Sequence, residues 1–268
     1  MDGLVSAMGT SPRLKLILPS VTDAAGGFVL INGTAGSSFG QLATPTAYSS
    51  GGTTYNNSSS PIAGFPQWSA AGGSLLTYLA SAQYAGSIVG TLHIYDMLWA
   101  ASGMSGTVAT AQSISSFSGL PSRNSTGVGT EIWLIDWNSA LGATASNATC
   151  SYSNTTPTSG RTTVSTAMIA SMPAYRMLNL PLQSGDLGVS TIASVTLSST
   201  TGTAGNFGPA IVQRVASLPI PQAYASQGMD FSALNLPNIT DNCSMAFVFE
   251  SSTTSSGIIL ATLGLAQG

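Results

Sequence analysis

The sequence has few charged side chains: only 6% of its 268 residues are Asp, Glu, Lys or Arg, against about 25% in an average soluble protein. The net charge is -3. Lys and Arg supply most of the affinity of proteins for phosphate backbones, so DNA or RNA is not an expected partner. The six basic residues are scattered singly: Arg13, Lys15, Arg123, Arg161, Arg176 and Arg214.

Long hydrophobic runs are also missing. The apolar run near the end, Gly257–Ala266, is about half of the roughly 20 residues that a helix needs to cross a bilayer. The amino terminus carries Asp2 and no basic region ahead of an apolar block, so a secretory signal is not expected there. Neither a membrane span nor membrane binding is predicted.

Histidine and cysteine are too scarce for most site chemistry. His93 is the only histidine, and no Gly-x-Ser-x-Gly motif accompanies it, so a satisfied imidazole is favoured over a serine triad. One His and two distant Cys cannot fill a four-ligand zinc site. Walker, dinucleotide and EF-hand motifs are absent. Cys150 and Cys243 lie in strand-like runs, which favours buried, reduced thiols, with a single disulfide as the alternative.

Carboxylates are the remaining candidates for catalysis, because sugar cleavage needs only an acid and a base at a suitable separation. The candidates are Glu131, Asp136, Asp96 and Asp186, and their spacing selects no pair. Glu131 and Asp136 are five residues apart on a predicted strand, hence on opposite faces. We therefore predict no enzyme, and no catalytic, cofactor-binding or metal residues.

Serine and threonine take the place of charge, with 72 of 268 residues. A surface of hydroxyls, amides and glycine repels its neighbours weakly and tolerates dense packing against copies of itself. We expect a protein that works in an assembly. An ordinary secreted β-protein is the alternative.

The segment Gly127–Trp137 indicates the architecture. It alternates as a strand does, with Ile132 and Leu134 on one side and Trp133, Ile135 and Trp137 on the other, and it is apolar on both. Such a strand is either central in a sandwich or covered on its outer face by another subunit. Tryptophan adds weight to this reading, because one aromatic side chain buries about 150–250 Å².

The rest of the chain predicts an all-β protein, an antiparallel β-sandwich of jelly-roll type with an extended, irregular N-terminal arm. Residues 1–86 form the arm, including an alternating piece, Arg13–Leu18, and an apolar run, Phe28–Ile31; residues 87–268 form the sandwich. One or two helical turns are predicted over Leu75–Ser81. Strands are predicted over Ser87–Trp99, Gly106–Gln112, Gly127–Trp137, Ala143–Ser153, Thr162–Ala170, Arg176–Pro181, Val189–Ser199, Ala210–Val215, Ser244–Glu250 and Gly257–Leu265.

Nine segments of the sequence carry a resemblance to a known family that covers about two thirds of the chain. They are Leu92–Trp99, Ser102–Gln112, Gly127–Leu134, Ser151–Asn154, Ser159–Thr163, Leu180–Val189, Ser194–Leu197, Thr201–Gly208 and Leu263–Gly268. In these segments the sequence resembles a family of virion structural proteins of tailed bacteriophages.

This resemblance implies a component of the phage particle made in the bacterial cytoplasm, in particular a capsid decoration or cement protein. Its expected partners are copies of itself, for example in a trimer, and other virion proteins such as the major capsid protein. The arm is expected to supply much of the contact. A tail, collar or fibre protein that binds a host surface is the first alternative. A secreted carbohydrate-active β-sandwich is the second.

Overall fold

The chain is almost entirely β-structure, as the sequence predicts. A computed structural model describes residues 27–33, 41–56, 64–65, 76–156, 158–253 and 257–267, together with the backbone of 13–21. Of the described residues, 49% lie in strands and 6% in helical turns. Every strand pair with a described register is antiparallel. The all-β, antiparallel prediction is therefore confirmed, and the jelly-roll connectivity stays a prediction.

The strands, numbered in chain order, are β1 Arg13–Val21, β2 Gly27–Leu30, β3 Thr53–Thr54, β4 Thr77–Gly86, β5 Gly90–Ala100, β6 Gln112–Ser113, β7 Thr130–Asp136, β8 Asn147–Asn154, β9 Arg161–Thr162, β10 Thr166–Ala167, β11 Arg176–Leu180, β12 Val189–Leu197, β13 Phe207–Ile220, β14 Gln227–Met229, β15 Asn238–Ile239, β16 Met245–Ser251 and β17 Gly257–Gln267. One short α-helix, α1, spans Phe231–Leu234. Single 3₁₀ turns span Ile31–Gly33, Tyr48–Ser50 and Ser122–Asn124.

The chain divides into two compact units. Unit 1 comprises residues 1–42, 57–95 and 215–268, and unit 2 comprises residues 43–56 and 96–214. Each unit has its own hydrophobic core. Unit 1 therefore combines residues from both sides of the predicted boundary at 86/87.

Unit 1 is organised around β17, the last strand. β17 pairs along its length with β1 on one side and β4 on the other, and β14 and β15 pair with β4. Alternate residues of β17 (Ile259, Ala261, Leu263) enter the core together with Phe247 and Phe249 of β16. β-Branched and aromatic side chains favour such half-buried sheets because they pack well on a pleated surface.

Unit 2 contains the predicted central strand, β7. It pairs with β11 through Leu134↔Leu178 and with β13 through Leu134↔Pro209. A second sheet in this unit has the order β10-β8-β12-β6. Ile132 and Leu134 belong to the core, which β8 and β12 complete with Cys150, Tyr152, Val189, Ile192, Val195 and Leu197.

The other face of β7 is covered as well. Trp133 is 1% exposed, and Ile135 and Trp137 are fully buried within the single chain. The indole nitrogen of Trp137 donates to the Ala101 carbonyl at 2.7 Å. Of the two predicted alternatives, the first holds: β7 is a central strand, and its burial requires no second subunit.

Three sequence predictions differ from the structure. The helical turn over Leu75–Ser81 is wrong, because Thr77–Gly86 is strand β4, which gains long ladders with β17. The strand over Gly106–Gln112 is wrong, because Gly106 packs against Thr201 and Thr203 in a turn region and only Gln112–Ser113 pairs as a strand. The strand over Thr162–Ala170 is reduced to the short pairings β9 and β10.

The segment 1–86 also contains more regular structure than the irregular arm expected for it. It contributes β1 to β4, and β1 continues beyond the predicted piece to Val21, with a register irregularity between Leu18 and Val21, where Pro19 lies. Val29, Leu30 and Ile31 are buried. Asn32 donates to the carbonyls of Gly64 (2.7 Å) and Met245 (3.1 Å) and accepts from the Phe247 amide. These contacts belong to the folded interior of unit 1.

Both cysteines are buried thiols that form no disulfide, as predicted. Cys150 lies in the core of unit 2 and Cys243 in the core of unit 1. Burial raises the pKa of Cys150, so its thiol is unreactive in the folded protein.

Candidate functional site

His93, the single histidine, lies at the centre of a polar row in unit 1. Its Nδ1 is 2.8 Å from Ser217 Oγ on β13, and its Nε2 is 3.1 Å from Glu250 Oε2 on β16. Phe28, opposite Glu250 in the β2–β16 register, places its ring centroid 5.9 Å from the imidazole. His93 is 6% exposed. The prediction of a satisfied imidazole agrees with these contacts.

The row contains the three side-chain types of a nucleophile, a base and an acid. The neutral imidazole with its proton on Nε2 satisfies both contacts, because Nε2–H donates to Glu250 and Nδ1 accepts from the Ser217 hydroxyl. Acyl transfer also needs donors for an oxyanion and a cavity for the substrate. The depression in unit 1 is lined by other residues. The described contacts therefore support a proton-sharing chain and identify no substrate site.

The four candidate carboxylates are not brought together as an acid–base pair. Asp96 is buried and forms a bidentate pair with Arg123, with Nε–Oδ2 at 2.6 Å and Nη2–Oδ1 at 2.8 Å. Glu131 accepts from the Trp133 indole at 2.9 Å and contacts Arg214 at 3.2 Å. Each carboxylate is engaged by its own neighbours.

Asp136 is the most perturbed of the four. It is fully buried at the end of β7, its Oδ2 accepts from the Leu141 amide at 3.2 Å, and its Oδ1 has no hydrogen-bond partner among the described residues. Burial raises the pKa of Asp136 to about 7, and the bond from Leu141 opposes that shift. A buried carboxyl of this kind can titrate near neutral pH.

Asp186 holds a polar cluster in unit 2. It accepts from Arg161 (Nη2, 2.8 Å), the Tyr152 hydroxyl and Asn154 (Nδ2, 2.8 Å). The Arg161 guanidinium, helped by Tyr152 and Asn154, lowers the pKa of Asp186 to about 2. Three of the segments that carry the family resemblance, Ser151–Asn154, Ser159–Thr163 and Leu180–Val189, meet in this cluster. The cluster fixes the loop that carries Asp186, since Tyr152, Asn154 and Arg161 all donate hydrogen bonds to its carboxylate.

Metal and membrane sites are not indicated where the structure describes the chain. In those ranges no three His, Cys, Asp or Glu side chains are grouped as ligands for a metal ion. None of the described helices has the length and apolar character of a membrane span.

The surface formed by the described side chains is nearly without charge. Among the charged residues whose side chains are described, only Arg214, Asp230 and Asp241 are mainly exposed. Arg214 contacts Glu131, and Asp230 caps α1 by accepting from the amides of Ser232 (3.0 Å) and Ala233 (3.1 Å). Hydroxyls, amides, glycine and isolated apolar side chains form the rest of the described surface.

One sheet face of unit 1 combines an apolar ridge with a depression. Along β17, Ile258 and Leu260 are 52% and 48% exposed, and the next residues on that face, Thr262 and Gly264, line an open depression of about 500 Å³. Its other lining residues come from β4, β14 and α1: Ser81, Ala82, Gln83, Gly228, Met229, Asp230 and Ala233.

Sequence reasoning missed this face because it missed β4, β14 and α1. The available signal was the alternation Ser81-Ala82-Gln83-Tyr84, in which Ala82 and Tyr84 are buried while Ser81 and Gln83 point outward. The Asp230 cap before Phe231 was a second signal, since Asp is a preferred N-cap residue.

Comparison with known proteins gives no family. No protein-family model and no curated protein matches the chain. Among solved structures, it aligns with a chain of infectious bursal disease virus, Gx strain, at 9% identity and a TM-score of 0.19, covering 96% of this chain and 80% of that chain. VP2 in a subviral particle of the same virus aligns at 10% identity and a TM-score of 0.16, with 96% and 80% covered. Scores this low carry no argument about fold or function.

Proposed function

We propose that this chain is a structural component of a tailed-bacteriophage virion, and that it decorates the capsid by packing on or between capsomers beside further copies of itself. The sequence segments that resemble phage virion proteins support the class. The scarcity of charge on the described part of the surface carries the proposal. Only three exposed charged residues occur in the part of the chain with described side chains.

Copies of one protein crowded on a lattice carry the same net charge, so they repel each other when that charge is large. Four arginines present little uncompensated charge to a neighbouring copy. Arg123 and Arg161 are paired with carboxylates, Arg176 is 2% exposed, and Arg214 contacts Glu131. Such a protein packs densely with little electrostatic cost.

We also propose that the Ser217–His93–Glu250 row is structural. All three residues lie within strands, and the bonds between them satisfy polar groups on neighbouring strands, as cross-strand pairs do. A fluorophosphonate reagent should leave Ser217 unlabelled in the folded protein. Stoichiometric labelling of Ser217 would contradict this assignment.

The test of the proposed function is the copy number and position of the chain in purified virions. Quantitative mass spectrometry against the major capsid protein should give hundreds of copies per particle, and immunogold labelling should mark the capsid. A handful of copies at one vertex or on the tail would instead indicate the tail, collar or fibre alternative. Absence of the chain from purified virions would overturn the proposal.

A further inference from the structure

The depression on the exposed face of unit 1 is lined by polar groups that the described chain leaves without hydrogen bonds. Among the described residues, the side chains of Ser81, Gln83 and Thr262 form no hydrogen bond with the protein. Asp230 caps α1 through Oδ1, and its Oδ2 accepts from no described residue. The depression measures about 500 Å³, within the usual range of ligand pockets, about 300–1,000 Å³. It therefore suits a ligand that carries several hydrogen-bonding groups.

Strand register places these groups in two rows across the sheet. Thr262 of β17 lies opposite Gln83 of β4, which lies opposite Gly228 of β14. In the second row, Gly264 lies opposite Ser81, and a Cβ on Gly264 would lie 2.3 Å from Ser81 Oγ. The two glycines therefore leave open the space into which the hydroxyls and the amide extend.

The neighbouring strand β1 brings positive charge to the same face. The β1–β17 register sets Lys15 opposite Thr262 and Arg13 opposite Gly264, and directly opposite residues of an antiparallel pair share one face of the sheet. This face therefore holds both basic residues of unit 1. The other four basic residues belong to unit 2 and are paired with carboxylates or buried: Arg123, Arg161, Arg176 and Arg214.

The charges stand on opposite sides of the depression. Arg13 and Lys15 belong to β1, and Asp230 follows β14, three strand spacings away in the sheet, or about 14 Å. A small inorganic anion cannot reach across this distance and is repelled by Asp230, and a neutral sugar leaves the cations without a partner.

An acidic sugar matches both sides. Its carboxylate pairs with Lys or Arg, and its hydroxyls donate to a carboxylate and exchange hydrogen bonds with hydroxyl and amide groups. We propose that the depression binds an acidic saccharide, with the saccharide carboxylate toward β1 and its hydroxyls toward Asp230.

The test titrates the full chain with short oligomers of galacturonate, mannuronate and N-acetylneuraminate and follows binding by saturation-transfer NMR. At least one of these acidic oligomers should bind with a dissociation constant on the order of 1 mM or below, the weak range expected for an open site. Maltotriose, which is neutral, and inorganic phosphate should each bind at least about tenfold more weakly than that oligomer.

Two substitutions test the cation side and the depression separately. Lys15→Ala should weaken binding of the acidic oligomer about tenfold, because a charge-assisted hydrogen bond is lost, and Lys15→Arg should retain binding. Arg214→Ala is the control, since it removes the same charge from unit 2. A Cβ on Gly228 meets nothing closer than the Ala82 carbonyl oxygen at 4.0 Å, so Gly228→Leu should fold, fill the depression and abolish binding without a change of charge.

Several outcomes would overturn the inference. One is that none of the acidic oligomers binds up to about 10 mM, where even weak sites fill. Equal binding of phosphate would reduce the depression to an anion site, and equal binding of maltotriose would remove the role of the β1 cations. Unchanged binding by Gly228→Leu, or equal losses in Lys15→Ala and Arg214→Ala, would place the ligand elsewhere.

The saccharide site is independent of the proposed function. The copy number and position of the chain in virions are measured without any saccharide. A chain present at hundreds of copies per particle that binds no acidic oligomer would keep its decoration role and lose only this site.

Discussion

Unit 1 and unit 2 are both antiparallel β-structures, yet different contacts hold them. In unit 1, β17 is paired along its length on both sides, and a continuous apolar core lies beneath it. In unit 2, long connections between strands are fixed by polar side chains. The buried carboxylates and arginines of the described chain, Asp96, Asp136 and Arg176, all belong to unit 2.

This difference follows from how backbone groups are satisfied. A strand ladder pairs amides and carbonyls with each other, whereas an irregular segment needs side chains or water to do so. Arg123 shows the second solution, because it pairs with Asp96 and also donates to the carbonyls of Tyr55 (2.8 Å) and Met97 (3.0 Å). Unit 2 should therefore respond to charge and pH, and unit 1 to lost ladder contacts.

The largest effect is expected from Arg123→Ala. It removes the bidentate partner of the buried Asp96 carboxylate, and removal of one member of a buried ion pair costs about 3–5 kcal/mol. Thiol alkylation during chemical denaturation reports the unfolding of each unit separately, because Cys150 lies in the core of unit 2 and Cys243 in the core of unit 1. Cys150 should react at a lower denaturant concentration than in the wild type.

Arg214→Ala is the matched control for Arg123→Ala. The Arg214 side chain is 47% exposed and contacts Glu131 at 3.2 Å, and exposed pairs contribute about 0–1 kcal/mol. Equal destabilisation by the two substitutions would contradict the distinction. Simultaneous exposure of both thiols in Arg123→Ala would show that the units unfold together.

Asn32→Ala is the corresponding test of unit 1. It removes two donated bonds and one accepted bond in a buried setting, and unsatisfied buried groups cost about 1–3 kcal/mol each, less where water enters. We expect a loss of roughly 2–4 kcal/mol, with Cys243 alkylated before Cys150. Asn32→Asp should destabilise unit 1 at least as much as Asn32→Ala at pH 7, because it buries a carboxylate oxygen against the Gly64 and Met245 carbonyl oxygens.

The sequence predicted strands best where alternation was strong and failed where pairing across the chain decided the outcome. β7, β11 and β16 follow their apolar patterns closely. β4 does not, because Thr77–Gly86 is rich in alanine and small residues with weak intrinsic preference, and its pairing with β17 overrides that preference. β1 and β2 lie in the segment that was expected to be irregular, and their pairing partners lie more than two hundred residues away.

The candidate sites were harder to predict for a related reason. The His93 row joins residues 93, 217 and 250, and the Asp186 cluster joins residues 152, 154, 161 and 186. Side-chain types were visible in the sequence, but the registers that align them are set by long-range pairing. The ridge and depression depend on β14 and α1, which have almost no periodic signal at three and four residues.

Asp136→Asn tests the pH response of unit 2. The folded pKa of Asp136, about 7, lies above its ordinary value of 3.8, so the folded protein holds the proton more tightly. The stabilisation that the protonated Asp136 carboxyl gives to the folded state is therefore fully present below about pH 4 and is lost as the pH rises to about 7. Above pH 7 the free energy of unfolding no longer changes through this group. At pH 8, Asn should raise the free energy of unfolding by roughly 1–3 kcal/mol, since each pKa unit corresponds to about 1.4 kcal/mol and the amide leaves one donor unsatisfied.

The control for Asp136→Asn is the same pair of proteins at pH 4.5, where the wild-type carboxyl is protonated and the gain should vanish. Asp186 acts in the opposite direction. Its pKa is lowered to about 2, so its carboxylate stabilises the fold above pH 4 and that contribution is lost as the pH falls toward 2. A gain from Asp136→Asn that is equal at both pH values would show that ionisation of Asp136 is not its cause.

The smallest effect is expected from Ser217→Ala in unit 1. Ser217 is half-buried, and the substitution removes its 2.8 Å bond to His93 Nδ1. A hydrogen bond between neutral groups contributes about 1 kcal/mol, and water can replace part of it at a half-exposed site. The free energy of unfolding should therefore fall by no more than about 1 kcal/mol, with Cys150 reactivity unchanged. Because Glu250 at 3.1 Å still accepts from Nε2, the imidazole keeps its orientation. A loss of unfolding free energy as large as that of Asn32→Ala would mean that the Ser217–His93–Glu250 row stabilises unit 1 as much as the bonds of Asn32 to buried backbone groups do. Unit 1 would then depend on polar side chains as unit 2 does, and the difference between the two units would not hold.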